Sequence, residues 1–425
     1  MKKIRICLLT SVCMLCLAGC NSQMTEDITG QKASPAESGE TAGDELSEFT
    51  IDFVSGRINI TEYKSRYGDE IKEVKESDFE NLSFQDCEMM PLGDFEKVGI
   101  YRLYSDDIGV DESIECVKNW LEKIGCGDTD LEKELRDASG QYERDESREY
   151  PYDYVGVYDH YPEFDSGCGF FINTDRCYIQ MGKDGIYSMS DGSIAHYLDS
   201  GKIPAMDALG VSEENIVDKG SVSEKSGDVW KLADGKMSVG DAAEVVKNYF
   251  EAGTPRKMAS GVSVDVPEVE VFELNGKYGY AFAVRRIYKG VPFAYADTGG
   301  RSYYSAEYSV TGDMKTAYII NHDTVGAFTG YSEATLLEGL MEEQTEILGL
   351  KDAVSLLNDF FAAKVKLEAD KAELAYCICR YDENERQIAY PCWGFEGTNA
   401  TNEQKMRAFV NVLSGDVYYY AYNER

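Results

Sequence analysis

The sequence predicts an α+β fold built from tandem repeats of an amphipathic helix packed on a small antiparallel sheet. Three observations support this expectation. Three stretches carry apolar residues at the i, i+3, i+4 spacing of a helix with one buried face. An aromatic-rich stretch with the alternation of a half-buried strand follows each of them. A short motif containing Gly and Asp, flanked by strand-like residues, then closes each unit.

The predicted helices of the three units can be aligned without gaps. They are 112–125 (ESIECVKNWLEKIG), 238–253 (SVGDAAEVVKNYFEAG) and 349–365 (GLKDAVSLLNDFFAAKV). The strands predicted to follow them are 152–161, 278–288 and 373–382. An additional helix is predicted over 332–348, because Ser332 precedes an acidic first turn as an N-cap does.

Each repeat is predicted to end in a hairpin. The turn motifs are Lys183-Asp184-Gly185, Thr311-Gly312-Asp313 and Ser414-Gly415-Asp416. Gly adopts a positive φ at low cost and Asp tolerates one, as a tight turn requires. We therefore interpret these motifs as turns rather than as ligand-binding loops.

The first twenty residues predict export and lipidation. Cationic MKKIR precedes an apolar run that is too short to span a bilayer, which is the order found in a secretory signal. Leu17 to Cys20 (LAGC) resembles the bacterial lipobox, which implies that Cys20 is lipidated and that acyl chains, palmitate among them, anchor the protein to the cell membrane. The alternative is an ordinary signal peptide that ends near a fortuitous Cys.

The predicted organisation has five parts. They are a lipoprotein signal peptide (1–19), a flexible tether from lipidated Cys20 (20–48), an N-terminal α+β region with the first repeat (49–215), a middle repeat (216–330) and a C-terminal repeat (331–425). The tether is rich in small and polar residues and cannot bury enough apolar surface to fold. We expect an extracytoplasmic protein without a membrane-spanning helix.

The charge excludes one class of partner. The 42 Lys and Arg against 77 Asp and Glu give a net charge of −35, so the chain repels nucleic-acid backbones and no nucleic-acid partner is expected. The expected partners are the membrane, through the lipid, and another envelope protein. No nucleotide-binding glycine motif is present, and no cofactor is expected.

The cysteines downstream of Cys20 are interpreted as structural. Cys168 and Cys177 flank a predicted hairpin, and either Cys377 or Cys379 is a candidate partner for Cys392; export permits such disulfides. With three His in the chain and no C-x-x-C, no metal site is predicted.

No motif of nucleophilic, metal-dependent or phosphoryl-transfer catalysis occurs, and we expect a protein that is not an enzyme. With so many acidic residues, close carboxylate pairs arise by chance, so a hydrolase that uses paired carboxylates stays an alternative. If a ligand site exists, we favour the two Pro–aromatic turns, Pro292-Phe293 and Pro391 with Trp393, as the place where rings would cluster.

The C-terminal half, mainly residues 236–425, resembles PepSY-like domains and the Yyc-type extracytoplasmic regulators of a cell-wall sensor kinase. The matching positions are Pro391, Trp393, Ser414, Gly415 and Asp416. Residues 289–293 (KGVPF) and 311–313 (TGD) match more weakly. The resemblance implies binding, inhibition or regulation at the cell surface of a Gram-positive-type bacterium. A solute- or metal-capturing lipoprotein is the remaining alternative.

Overall fold

The computed structural model describes residues 49–104, 115, 118, 154–158, 169–173, 177–182, 185–191, 213–251, 261–274, 276–294, 303–305, 308–311, 314–320, 325–330, 336–361, 365–381 and 386–422. By contact density the chain divides into Met1–Phe49 and Thr50–Arg425. All elements below lie in the second unit. The helix predicted over 112–125 falls almost entirely outside the described residues, as does Cys20.

The described part of the chain contains four α-helices. They are α1 (Ile60–Glu76), α2 (Val222–Lys225), α3 (Val239–Glu251) and α4 (Leu350–Phe361), with a 3-10 turn at Glu213–Asn215. Helices α3 and α4 confirm the predictions over 238–253 and 349–365. None of the helices in the described residues is long and apolar enough to cross a membrane.

The strands are much more numerous than the helices. The first twelve are β1 (Ile58–Asn59), β2 (Leu82–Ser83), β3 (Glu88–Met89), β4 (Tyr101–Tyr104), β5 (Tyr154–Tyr158), β6 (Gly169–Asn173), β7 (Cys177–Gly182), β8 (Gly185–Asp191), β9 (Ile216–Ser221), β10 (Val229–Lys231), β11 (Lys236–Ser238) and β12 (Val262–Leu274). The others are β13 (Lys277–Tyr288), β14 (Val291–Pro292), β15 (Tyr303–Ser305), β16 (Tyr308–Thr311), β17 (Met314–Ile319), β18 (Ala327–Gly330), β19 (Leu336–Gly339), β20 (Glu346–Ile347), β21 (Leu367–Tyr381), β22 (Arg386–Asn399), β23 (Gln404–Asn411) and β24 (Val417–Tyr422).

Two large sheets dominate the described residues, and we call them sheet I and sheet II. Sheet I has the order β5-β6-β7-β8-β18-β17-β13-β12-β9, with β14 beside β13. Sheet II has the order β15-β16-β21-β22-β23-β24. Strands β2 and β3 add to β21 in parallel, and β4 pairs with both β22 and β19.

The predicted fold class is wrong. The protein is mostly β and its sheets curl as half-barrels, whereas tandem helix-on-small-sheet repeats were expected. The physical reason is that strands pair across the expected units. Strand β18 pairs with β8, and β16 pairs with β21, so strands expected to close separate small sheets share two large ones. The predicted domain boundaries stay predictions.

Helix α1 covers one face of sheet II together with α4, and the sequence reasoning did not place it. Asn59 caps it by accepting hydrogen bonds from the backbone N–H groups of Thr61 and Glu62 at 3.0 and 3.5 Å. The side chains that it buries recur at helical spacing: Ile60, Tyr63, Tyr67, Glu70 and Val74. Because Tyr and Glu stand where aliphatic residues are usual, the buried face is easily overlooked in the sequence.

The helix predicted over 332–348 does not form. Residues 336–339 are strand β19, paired with β4, and residues 346–347 are strand β20, paired with β1. Pairing with strands far away in the chain supplies backbone hydrogen bonds here, and this tertiary contribution outweighs the local capping signal.

The strands that flank the three Gly/Asp motifs are arranged in two different ways. Ser414-Gly415-Asp416 turns β23 into β24, with Gly415 at φ +79°. Strands β7 and β8 pair with Gly182 opposite Gly185, and Lys183 and Asp184 lie outside the described residues. Thr311-Gly312-Asp313 is not a hairpin, because Thr311 ends β16 in sheet II and Met314 begins β17 in sheet I. The chain thus passes from one sheet to the other between Thr311 and Met314, and Gly312 and Asp313 lie outside the described residues.

Candidate functional site

A group of largely buried charged side chains lies between the two sheets. Two rows of cross-strand partners share one face of sheet II: Lys371–Glu396–Arg407 and Glu373–Gly394–Phe409. Because side chains alternate between the faces of a strand, rows two residues apart point the same way. This face therefore presents several charged groups toward sheet I. With Asp265, Glu268 and Arg285 of sheet I, these groups form what we call the charge cluster.

Ion pairs connect the sheets through this cluster. Arg285 on β13 donates from Nη1 to both carboxylate oxygens of Glu373 on β21, at 2.7 and 3.0 Å. Its Nε donates to Asp265 on β12 at 3.0 Å. Lys371 on β21 donates from Nζ to Glu268 on β12 at 2.7 Å. Sheet I is thus bonded to sheet II by charge-assisted hydrogen bonds.

A further pair lies within sheet II. Arg407 on β23 donates from Nη2 to Glu396 on β22 at 3.0 Å, and its Nη1 lies 3.4 Å from the Tyr420 hydroxyl on β24. Only 4% of the Arg407 side chain is exposed. The guanidinium therefore joins β22, β23 and β24 across the interior of the curled sheet.

Burial and charge have opposite effects on the cations of the cluster. Burial disfavours the charged form of Arg285, but the neighbouring carboxylates of Glu373 and Asp265 outweigh it and raise the pKa of that guanidinium. Burial likewise opposes protonation of Lys371, and Glu268 and Glu373 again raise the pKa of the amine. Both side chains are cationic at neutral pH.

Very little space remains beside the charge cluster. A hollow bordered by Lys371, Glu373, Glu396 and Arg407, above Gly394 and Phe409, has a volume of about 20 Å³, roughly enough for one water molecule. A Cβ atom added at Gly394 would lie 3.2 Å from the Phe409 ring, so that ring would have to shift by a few tenths of an ångström to accept it. We call the Arg285–Glu373 and Lys371–Glu268 pairs, which join the two sheets, the inter-sheet lock, and the hollow beside them has no room for a substrate.

A metal is not favoured by this arrangement. Within the described residues, no group of three or more His, Cys, Asp and Glu side chains is placed to hold a metal ion. Each carboxylate of the charge cluster lies against a Lys or Arg, which satisfies its charge without a bound cation.

The Pro–aromatic residues favoured as a ligand site are largely buried. Phe293 and Trp393 are fully buried, Pro391 is buried and Pro292 is half-buried. Their rings also have different neighbours: Phe293 packs on Tyr376, and Trp393 packs on Tyr67. Phe293 lies between the sheets, since its backbone donates to Arg286 of sheet I at 2.9 Å while Ala294 donates to Tyr376 of sheet II at 2.8 Å.

Trp393 lies under α1, on the face of sheet II that points away from the charge cluster. Its ring stacks on Tyr67 at a centroid distance of 5.7 Å, and Tyr63 lies edge-on at 6.2 Å. Its Nε1–H donates to the Leu348 carbonyl at 2.9 Å. The structure does not bring Trp393 and Phe293 together, and both serve the core.

The candidate disulfide partners are separated where the structure describes them. Cys392 is the cross-strand partner of Ala375, whereas Cys379 is opposite Ile388. Four residues along a strand correspond to roughly 13 Å, well beyond the reach of a disulfide. Cys377 and Cys392 are diagonal neighbours, and both are buried. Cys177 begins β7, and Cys168 lies outside the described residues, so that pairing stays a prediction.

Two polar clusters outside the lock were missed by sequence reasoning. Buried Glu70 of α1 accepts from the Tyr63 hydroxyl at 2.9 Å and lies at the N-terminus of α4, where Lys351 N–H is 3.4 Å away. Glu343 accepts from the Tyr101 hydroxyl at 2.6 Å and from Lys289. Their partners lie far away in the chain, so no local signal was available.

Glu343 has a shifted pKa. Burial on its own would raise the pKa of this carboxyl, but the hydrogen bonds from Lys289 and Tyr101 more than compensate and hold the pKa below its ordinary value. The Lys289–Glu343 pair joins the end of β13 to the segment between β19 and β20.

Comparison with known proteins identifies no family for this chain. No family model matches the chain, and no curated protein matches it. Among solved structures, the Bacillus megaterium YpeB C-terminal domain is similar over 75% of this chain and 100% of that chain, with 12% identity and a TM-score of 0.30. This weak likeness loosely fits the predicted PepSY-like resemblance, but at such a TM-score it carries no argument for fold or function.

Proposed function

We propose that the chain is a non-catalytic, lipid-anchored cell-surface protein of a Gram-positive-type bacterium that binds or regulates an envelope protein or ligand. The sequence at residues 17–20 supports the anchor, because LAGC follows a cationic and then apolar stretch. The resemblance of residues 236–425 to PepSY-like and Yyc-type regulators supports the regulatory role.

The observation that carries the non-catalytic part is the pairing of carboxylates in the charge cluster. Glu373 is held by Arg285, and Glu396 is held by Arg407, at distances of 2.7 to 3.0 Å. A general acid needs a proton, and a nucleophile needs access to the substrate. These carboxylates are occupied by cations beside a hollow that admits only about one water molecule.

The anchor is tested by metabolic labelling. The full chain is expressed in a Gram-positive host fed radioactive palmitate, and the membrane fraction is compared with that of the Cys20→Ser variant. We expect label and membrane retention that depend on Cys20. Equal labelling of both chains, or release of both into the medium, would refute the lipid anchor and leave an ordinary signal peptide.

The binding role is tested in the same cells by cross-linking. The full chain is compared with a fusion of residues 1–48 to an unrelated folded protein. We expect defined envelope adducts with the full chain alone. In parallel, the purified chain is assayed for solubilisation of peptidoglycan; activity abolished by Glu373→Gln or Glu396→Gln in a still-folded protein would establish the hydrolase alternative instead.

A further inference from the structure

A patch of apolar side chains with an acidic rim lies where residues 53–57 meet α4 and β24. We call it the rimmed patch and define it by Phe53, Val54, Leu356, Phe360 and Tyr419. Two of the four large hydrophobic side chains that are exposed among the described residues belong to it, Phe53 at 43% and Phe360 at 37%. Single exposed apolar residues are ordinary, whereas a contiguous group marks a contact surface.

Contacts and helical spacing connect Val54, Leu356, Phe360 and Tyr419. Val54 and Leu356 both approach Gly415 in the β23–β24 turn, within 3.1 and 3.2 Å of the position that a Cβ atom would occupy there. Phe360 follows Leu356 by one helical turn on α4, and its ring centroid is 5.9 Å from that of Tyr419.

The N-terminal segment extends the patch. The Val54 N–H donates to the Leu413 carbonyl at 2.8 Å, which fixes residues 53–57 beside the turn. Phe53 precedes Val54 in this segment, with the Arg57 guanidinium carbon 4.1 Å from its ring centroid. The chain therefore already places one cation against an aromatic ring of the patch.

The rim of the patch is negatively charged. Three exposed carboxylates on or beside its segments form the rim, and they are Asp52, Asp352 and Asp359. Of the cations there, Lys351 is paired with Glu73, and Arg57 lies against Phe53. The net charge of −35 adds a repulsive field for any anionic partner. A surface with an apolar centre and an acidic rim is complementary to an apolar segment flanked by cations.

We propose that the rimmed patch docks a basic amphipathic polypeptide segment of a partner protein, with its apolar side chains against Phe360 and Leu356 and its Lys or Arg side chains against the acidic rim. The inference rests on the proposed binding role and specifies the surface and the chemistry of its partner. A lipid surface is the competing occupant. An anionic membrane would be repelled by the same rim that attracts a basic segment.

The test uses the purified full chain and fluorescent peptides. The probe is a helix of about 18 residues with Leu at i, i+3, i+4 and Lys elsewhere; the comparison peptide carries Glu in place of Lys. We expect binding of the Lys peptide alone, weakened when salt is raised from about 50 to about 300 mM. Because an acidic protein attracts any cation diffusely, the variants decide the question.

The variants come in matched pairs. Phe360→Ser removes a large apolar side chain from the patch, and Val229→Ser does so at another exposed site. Asp352→Asn with Asp359→Asn neutralises the rim, and Glu214→Gln with Glu224→Gln neutralises two exposed carboxylates elsewhere. We expect each patch variant to weaken binding about fivefold or more, and each control to leave it unchanged.

The outcomes separate the alternatives. Equal weakening by patch and control variants would overturn the proposal, as would retention of full affinity by Phe360→Ser with an unchanged unfolding midpoint. Sedimentation with phosphatidylcholine or phosphatidylglycerol vesicles that is lost in Phe360→Ser would assign the patch to lipid and overturn the proposal too. Envelope cross-links that persist in Phe360→Ser would refute docking at the patch but leave the proposed binding role intact. Peptide binding by a chain that forms no envelope cross-links would support docking at the patch and refute the envelope role.

Discussion

The inter-sheet lock gives the sharpest test of the structure. In Glu373→Leu, buried Arg285 keeps only Asp265, whose side chain is 33% exposed. Removing one partner from a buried ion pair costs about 3–5 kcal/mol, and since Asp265 remains we expect the lower end, about 3 kcal/mol. The double variant Arg285→Met with Glu373→Leu should cost less than the sum of its parts, with a coupling energy of about 2 kcal/mol.

The assay is urea unfolding at neutral pH, with the m-value checked for each variant so that changes in midpoint report stability. Glu73→Leu is the matched control, because its pair with Lys351 is more than half exposed, and its midpoint should stay near that of the parent chain. A Glu373→Leu midpoint as close to the parent as the control, or additive single and double variants, would show that the sheets are not held by this pair.

Three further predictions concern single side chains. Trp393→Phe removes the donor to the buried Leu348 carbonyl, so unfolding should show a loss of about 2 kcal/mol; unchanged stability would reopen a ligand role for Trp393. Asp416→Ala removes the acceptor of the Ser414 hydroxyl, 2.6 Å away, and should cost about 0.5 kcal/mol while peptide binding persists; lost binding at unchanged stability would make the turn a ligand loop. Glu343 has a folded-state pKa below its ordinary value of 4.5, so it stabilises above that pH and the benefit is lost as pH falls through the folded value. Glu343→Gln should therefore flatten the acid limb of the stability profile, and an identical limb would contradict the shift.

Local patterns predicted the parts of the fold that are determined locally. Helices α3 and α4 follow from apolar spacing alone, and β13 and β21 follow from their aromatic alternation. The patterns failed where pairing with a distant strand determined the secondary structure. Residues 336–339 carry a helical capping signal and nevertheless pair with β4, more than 230 positions earlier in the chain. Nothing local in a sequence specifies such a partner.

The charge cluster was hidden for the same reason. Arg285 and Glu373 stand 88 positions apart, and neither neighbours a recognisable motif. Their apposition depends on the register of β13, β21 and β22, which the sequence did not supply. Trp393 was noticed for its aromatic character, but the sequence could not show that α1 covers it, because the buried face of α1 includes Tyr63 and Glu70.

Sheet II also imposes an order of events on folding. Its strands β2, β3 and β4 come from residues 82–104, and β21 to β24 come from residues 367–422, so its first-made strands wait for the last-made ones. Such distant pairing is slow and cannot begin before both stretches are present. On the proposed export route, sheet II would be completed only after its last strands, β21 to β24, had crossed the membrane.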